Sequence, residues 1–68
     1  MSDKVYKIIE IVGCSSKSSD DAIETAIAKA GKTLHNLDWY EVQEIRGKIA
    51  NGKVDHYQVK LKVGFRLD

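Results

Sequence analysis

The dipeptide Asn51-Gly52 constrains the fold of this 68-residue chain more than any other feature of its sequence. Asn-Gly is best suited to a two-residue β-hairpin turn, because both residues tolerate the positive φ angles that the turn requires. It separates two strand-like segments, 39–49 and 54–67, and the second alternates strictly between apolar and polar residues. We therefore predict a long antiparallel hairpin in the C-terminal half of the chain.

The predicted turn also fixes how the two strands pair, since Ala50 then faces Lys53 and each later pair follows. Apolar side chains meet on one face of the hairpin, and opposite charges meet on the other, which supports the register. The pairs that it predicts are Val42 with Leu61, Tyr40 with Val63, and Glu41 with Lys62.

The N-terminal half predicts one strand and one helix. Segment 5–12 is β-branched and apolar and stops at Gly13, and segment 14–19 is a polar loop with serines that can cap a helix. Asp20 and Asp21 favour a helix start, and we expect the helix to end near Asn36, after about 17 residues. The apolar stripe of this helix comprises Ala22, Ile23, Ala26, Ile27, Ala30, Leu34 and Leu37. The predicted fold is α+β, a two-layer β-α-β-β unit with a three-stranded antiparallel sheet.

A chain of this size forms a small core and needs a further source of stability. Cys14 is the only cysteine, so no intrachain disulfide can form, and we interpret it as a small loop residue. His35 and His56 have no partner at metal-ligand spacing. Oligomerisation is therefore the favoured source of stability, for a single domain over residues 1–68.

The charges of the chain name no partner. Eleven basic and ten acidic side chains give a net charge of +1 and alternate along the sequence, which disfavours a nucleic-acid or membrane surface. No apolar segment is long enough to cross a membrane, and the N-terminus does not resemble a signal peptide. These features predict a soluble cytoplasmic protein.

The predicted register places Trp39, Gln43 and Gln58 on the sheet face away from the helix. A large aromatic residue there is interpreted as part of an interface between subunits, as a platform for a ligand, or as a simple rim residue. Trp39 and Gln58 lie about six residues apart in register, or roughly 20 Å, which is too far for one chain to hold one small ligand with both.

The hairpin should also extend beyond the helix. A 17-residue helix spans roughly 25 Å and an 11-residue strand about 36 Å, so the hairpin extends about 10 Å further. Arg46, Ile49, Val54 and Tyr57 lie near this extension and lack a second layer within the subunit. We expect them to pack against neighbouring subunits.

Six short motifs extend over nearly the whole chain, namely VYK at 5–7, VG at 12–13, LDWYEV at 37–42, IRG at 45–47, YQV at 57–59 and KVGFRL at 62–67. Together they resemble the dodecin family. Cys14, where many relatives have a hydroxyl residue, and Tyr40, where Phe is commoner, depart from the family pattern.

The resemblance implies a hollow, spherical homododecamer that binds flavins in pairs, for storage and for protection against flavin photochemistry. It implies that Trp39 stacks on the isoalloxazine ring and that Gln58 hydrogen-bonds the polar edge of the ring. Arg46 matches a basic position that would lie near the phosphate of FMN and favour FMN over riboflavin. An ion pair between subunits is the alternative for Arg46, and a solvated strand residue is the alternative for Gln58.

Three other functional classes compete with flavin storage. A structural oligomer could use Trp39 only as an interface residue and bind no cofactor. A nucleotide-type ligand such as coenzyme A could be held by basic residues such as Lys29, Lys32 and Arg66. An enzyme is disfavoured, because no paired carboxylates, activated nucleophile or metal ligands form a plausible constellation.

Overall fold

The computed structural model describes residues 3–68. It contains β1 (Val5–Ser15), α1 (Ser19–Ala30), β2 (Leu37–Ala50) and β3 (Lys53–Leu67). The three strands form one antiparallel sheet in the order β1-β3-β2, so β3 lies in the centre. The predicted β-α-β-β topology is confirmed. β1 continues three residues beyond the predicted end, so Cys14 lies in a strand and not in a loop.

The turn between β2 and β3 has the predicted form. Asn51 has a φ of 55° and Gly52 a φ of 73°, which are the positive values of a type I′ turn. Ala50 faces Lys53, and all three predicted pairs of the hairpin, from Tyr40–Val63 to Val42–Leu61, are present. The dipeptide therefore predicted both ends of the hairpin correctly.

The middle of the hairpin departs from the simple register. Asp55 is an extra residue in β3 and Gln43 is an extra residue in β2, so the segment between these two bulges is shifted by one residue. Ile45 consequently faces Val59, and Arg46 faces Gln58. Without the shift, apolar Ile45 would share a face with Gln58, so the bulges keep like side chains together.

Helix α1 begins as predicted and ends earlier than predicted. The Ser18 side chain accepts a hydrogen bond from the backbone N–H of Asp21, at 3.0 Å, which is an N-cap interaction. After Ala30 the chain tightens into a turn, and Asn36 adopts a left-handed φ of 63°. The prediction of a helix to Asn36 was therefore wrong. Leu37 has the spacing of the helical apolar stripe, but it packs against the same core from the start of β2.

The core lies between α1 and the central part of β3. Ala22 and Ala26 of the helix pack on three side chains of β3 that are at most 1% exposed, namely Val59, Leu61 and Val63. Gly13 of β1 allows this close approach, since an added Cβ would overlap the backbone carbonyl of Ala22. The helix therefore covers β1 and β3 at short range.

Strand β2 receives no comparable cover. Every residue from Asp38 to Ile49 is exposed, including Tyr40 and Val42 on the face that we expected to pack against the helix. The 12-residue helix spans about 18 Å, whereas the 15-residue β3 spans about 50 Å, so the hairpin extends much further than the predicted 10 Å. Its tip lacks a second layer, and Ile49 is 74% exposed and Val54 56%.

Candidate functional site

The sheet face away from α1, called the outer face below, carries the predicted site residues in two separate places. Trp39 lies opposite Gly64, and Arg46 lies opposite Gln58. These two pairs are six residues apart along β3, or roughly 20 Å. The structure therefore places Trp39 and Gln58 on one face and far apart, as the register predicted.

The indole of Trp39 extends from β2 across the central strand. Gly64 leaves room for it, because an added Cβ at this position would overlap the indole atoms Cε2 and Cζ2. On the far side of β3 the indole meets Tyr6 of β1, with ring centroids 5.0 Å apart and planes tilted by 56°. Trp39 is still 41% exposed, so the ring is supported from below and accessible from outside.

Asp38, the residue next to Trp39, acts on Tyr6. Desolvation by the surrounding atoms raises the pKa of Tyr6, and the Asp38 carboxylate, as a hydrogen-bond acceptor and a negative charge, raises it further, partly offset by Arg66. Together with the contact between the Tyr6 and Trp39 rings, this interaction links β1 to β2 across β3.

A second polar group lies toward the hairpin turn. The Arg46 Nε–H donates to Gln58 Oε1 at 3.2 Å, and Arg46 Nη1 lies 3.5 Å from Glu44 Oε1. The ion pair is within one chain and largely exposed, so by itself it adds little stability. Cys14 of β1 faces Gln58 from the other side and is exposed.

Charged residues fill the outer face between the two places. Each of two lysines of β3 has a glutamate opposite it in β2, and the pairs are Glu41 with Lys62 and Glu44 with Lys60. This arrangement resembles a solvated ladder of alternating charge more than a binding pocket. The outer face therefore offers one aromatic platform and one polar amide group, separated by a charged strip.

The helix side of the sheet contains an open groove of about 390 Å³. Its lining is mostly apolar and includes Ile9, Ala26, Leu34 and the side chain of Lys29. Arg66 belongs to the outer face by its register, so one chain does not gather Lys29 and Arg66 into a single site. Within residues 3–68, no group of three or more His, Cys, Asp or Glu residues is placed to hold a metal ion.

Comparison with known proteins identifies the family. The dodecin family model matches residues 5–68. The chain belongs to the dodecin family. A dodecin from Thermus thermophilus is 55% identical over 65 residues, which cover 96% of this chain and 94% of the relative.

Solved dodecin structures share the fold. Dodecin from Streptomyces davaonensis superposes with a TM-score of 0.94 at 51% identity and 98% coverage of both chains. Dodecin from Streptomyces coelicolor gives a TM-score of 0.94 at 47% identity, over 100% of this chain and 97% of that one.

In the described part of the chain, no helix is long and apolar enough to cross a membrane.

Sequence reasoning missed three neighbours of the predicted site residues. Tyr6 and Gly64 entered the sequence prediction only as members of family motifs, and Glu44 did not enter it. Gly64 carried a usable signal, since it replaces a polar side chain in the alternation of β3 directly opposite Trp39 in the predicted register. The contacts of Tyr6 had no comparable signal, because they join β1 to β2 across the central strand β3.

Proposed function

We propose that this dodecin-family chain binds a flavin, FMN or riboflavin, and stores it without catalysing a reaction. The observation that carries the proposal is the Trp39 indole, supported over Gly64 and accessible on its outer side. A flat aromatic platform of this kind suits a flat ring system, since offset stacking adds about 0.5–1.5 kcal/mol beyond the burial of area.

The proposed site is shared between subunits. Gln58 offers an amide to the polar edge of the ring, but it lies roughly 20 Å from Trp39 of the same chain. A neighbouring chain must therefore bring its Gln58 to the ring that stacks on Trp39. The exposed apolar residues of β2 and the hairpin tip support such an assembly, with Ile45 at 59% exposure and Ile49 at 74%.

A homododecamer in the cytoplasm is the assembly and location that we propose with this function. Within residues 3–68, the outer face carries no nucleophile, metal site or paired acids beside Trp39, which fits a binding protein better than an enzyme. When a flavin is bound, an indole in van der Waals contact can quench its excited state by electron donation and return. Storage and protection from light then follow from the same stacking contact.

The test is flavin binding by the purified protein and by a Trp39→Ala variant. We expect absorbance in the flavin bands with weak fluorescence that recovers on denaturation, and loss of both binding and quenching in the variant. Tyr40→Leu is the matched control, because Tyr40 is the next aromatic in β2 and lies on the opposite face. Normal binding and quenching by Trp39→Ala would show that the proposal is wrong.

An oligomer without a cofactor is the second candidate, and the uncovered apolar side chains of β2 favour it. Its signature is a colourless oligomer that takes up neither FMN nor riboflavin. Coenzyme A is a further candidate ligand, tested by the same titration with coenzyme A in place of flavin. Light scattering on each sample gives the number of subunits.

A further inference from the structure

The contact between Arg46 and Gln58 determines which way the Gln58 amide is oriented. A guanidinium group carries N–H donors and no acceptor, so the side-chain atom that it meets on Gln58 must be the oxygen. The structure has this arrangement, with Arg46 Nε donating to Gln58 Oε1 at 3.2 Å. The NH₂ group of Gln58 is therefore the end of the amide that Arg46 does not engage.

Arg46 is itself held from a second direction. Its Nη1 lies 3.5 Å from Glu44 Oε1, and Glu44 lies two residues before it on the same face of β2. The paired bulges at Gln43 and Asp55 create this group, because without them Gln58 would face Ile45 and not Arg46. The two bulges of the hairpin thus produce a series of side-chain contacts from Glu44 through Arg46 to Gln58.

We infer that Arg46 is a positioning residue for the proposed flavin site, acting through Gln58. The imide edge of a flavin presents an acceptor, a donor and a second acceptor in a row, so a freely rotating amide could pair with either half. An amide whose oxygen is fixed by Arg46 presents one order of donor and acceptor. It therefore pairs with one half of the imide and determines which way round the ring binds.

This inference rests on the proposed function, and it differs from a contact between Arg46 and a flavin phosphate. Riboflavin has no phosphate, so a phosphate contact would leave its affinity unchanged when Arg46 is replaced. A role through Gln58 affects riboflavin and FMN alike. Riboflavin is therefore the ligand for the test.

The experiment compares riboflavin binding by the assembled protein and by Arg46→Met, with assembly checked by light scattering. Methionine keeps an unbranched stem but cannot donate a hydrogen bond. We expect riboflavin affinity to fall roughly three- to tenfold, which corresponds to the usual net contribution of one hydrogen bond. We also expect the visible circular dichroism of the bound ring to change while Trp39 still quenches its fluorescence, because the ring then binds in both orientations.

Two further variants separate positioning from a general effect on the fold. Arg46→Lys keeps a charged donor and should recover part of the affinity and the circular dichroism. Arg46→Gln can donate or accept, so it should lose the fixed order as Arg46→Met does, and it serves as the test variant if Arg46→Met does not assemble.

A double-mutant cycle with Gln58→Ala identifies the route of the effect. In the Gln58→Ala background, Arg46→Met should cause no further loss of riboflavin affinity. An equal loss in both backgrounds, or unchanged affinity and circular dichroism in Arg46→Met, overturns the inference while leaving flavin binding in place. Failure of the unsubstituted protein to bind either riboflavin or FMN overturns the proposed function and this inference with it.

Discussion

Strands β2 and β3 pair along their whole length, yet the centre of β3 is buried and almost all of β2 is exposed. On β3, Val59 and Leu61 are fully buried, whereas on β2 Ile45, which faces Val59, is 59% exposed. Both strands carry apolar residues toward the helix side, so composition does not explain the difference. Helix α1 covers β1 and β3 and stops short of β2. A single chain therefore completes the packing of its central strand and leaves that of β2 to another surface.

The largest expected effect is a loss of stability from a substitution in β3 that a matching substitution in β2 does not cause. Leu61→Ala should lower the free energy of unfolding by about 2–5 kcal/mol, because it leaves a cavity in a fully packed core. Ile45→Ala should change the stability of the folded chain by only about 0.5 kcal/mol and should instead weaken assembly. Urea denaturation measures the first effect, and light scattering measures the second.

One result would contradict the expected difference between Leu61→Ala and Ile45→Ala. Both variants should be compared at the lowest protein concentration at which the chain stays folded, since assembly adds stability of its own. Equal losses of stability there would mean that β2 is covered within one chain. Lys48→Ala, on the outer face of β2, is the control that should change neither quantity.

The outer face reverses the comparison at one place, since there a side chain of β2 covers β3. Gly64→Ala should displace the Trp39 indole, because the new Cβ would overlap it, at a cost of about 1–3 kcal/mol. The change should also weaken flavin binding and quenching. Tryptophan fluorescence and flavin titration measure these effects. Retention of both signals would show that the indole does not need the space above Gly64.

The smallest expected effect concerns the link from Tyr6 to Asp38. The pKa of Tyr6 is raised above its ordinary value of 10.0, so the folded chain holds this proton more tightly than the unfolded chain does. That contribution to stability is complete below pH 10.0 and is lost as the pH rises through the raised value. Tyr6→Phe keeps the ring against Trp39 but has no proton to lose.

The stability of Tyr6→Phe should therefore fall less steeply with pH in the alkaline range than that of the unsubstituted protein. Urea midpoints of both proteins, measured on either side of the raised pKa, give the two slopes. Tyr57→Phe is the matched control and should follow the unsubstituted protein. Equal slopes for Tyr6→Phe would show that Tyr6 does not link β1 to Asp38.

The ends of the hairpin were predictable from the sequence, and its middle was predictable only in part. A two-residue hairpin turn requires positive φ angles, which Asn51-Gly52 tolerates and very few other dipeptides do. The turn and the residue pairs next to it could therefore be predicted from this dipeptide. The shift at Gln43 and Asp55 also had a signal. Pairing Ile45 with Val59 and Arg46 with Gln58 matches polarity better than the unshifted register does.

Other features could not be read from the sequence. The apolar spacing continues smoothly from Ala30 to Leu34 and Leu37, so periodicity alone could not separate the end of a helix from the turn and strand that follow. The contact between Tyr6 and Trp39 joins residues of different strands across a third one, and one sequence contains no record of such a pair. The register placed Trp39 and Gln58 on the outer face, but their roles in a flavin site came only from the family resemblance.

The irregularities of β2 have a consequence for solubility. This strand forms an edge of the sheet, and a long regular edge would be a template on which further copies could add strand to strand and form fibres. The extra residues Asp38 and Gln43 interrupt the row of free backbone groups and increase the local twist. These interruptions make the β2 edge a poorer template for the open-ended addition of strands, in a chain that exposes much apolar surface.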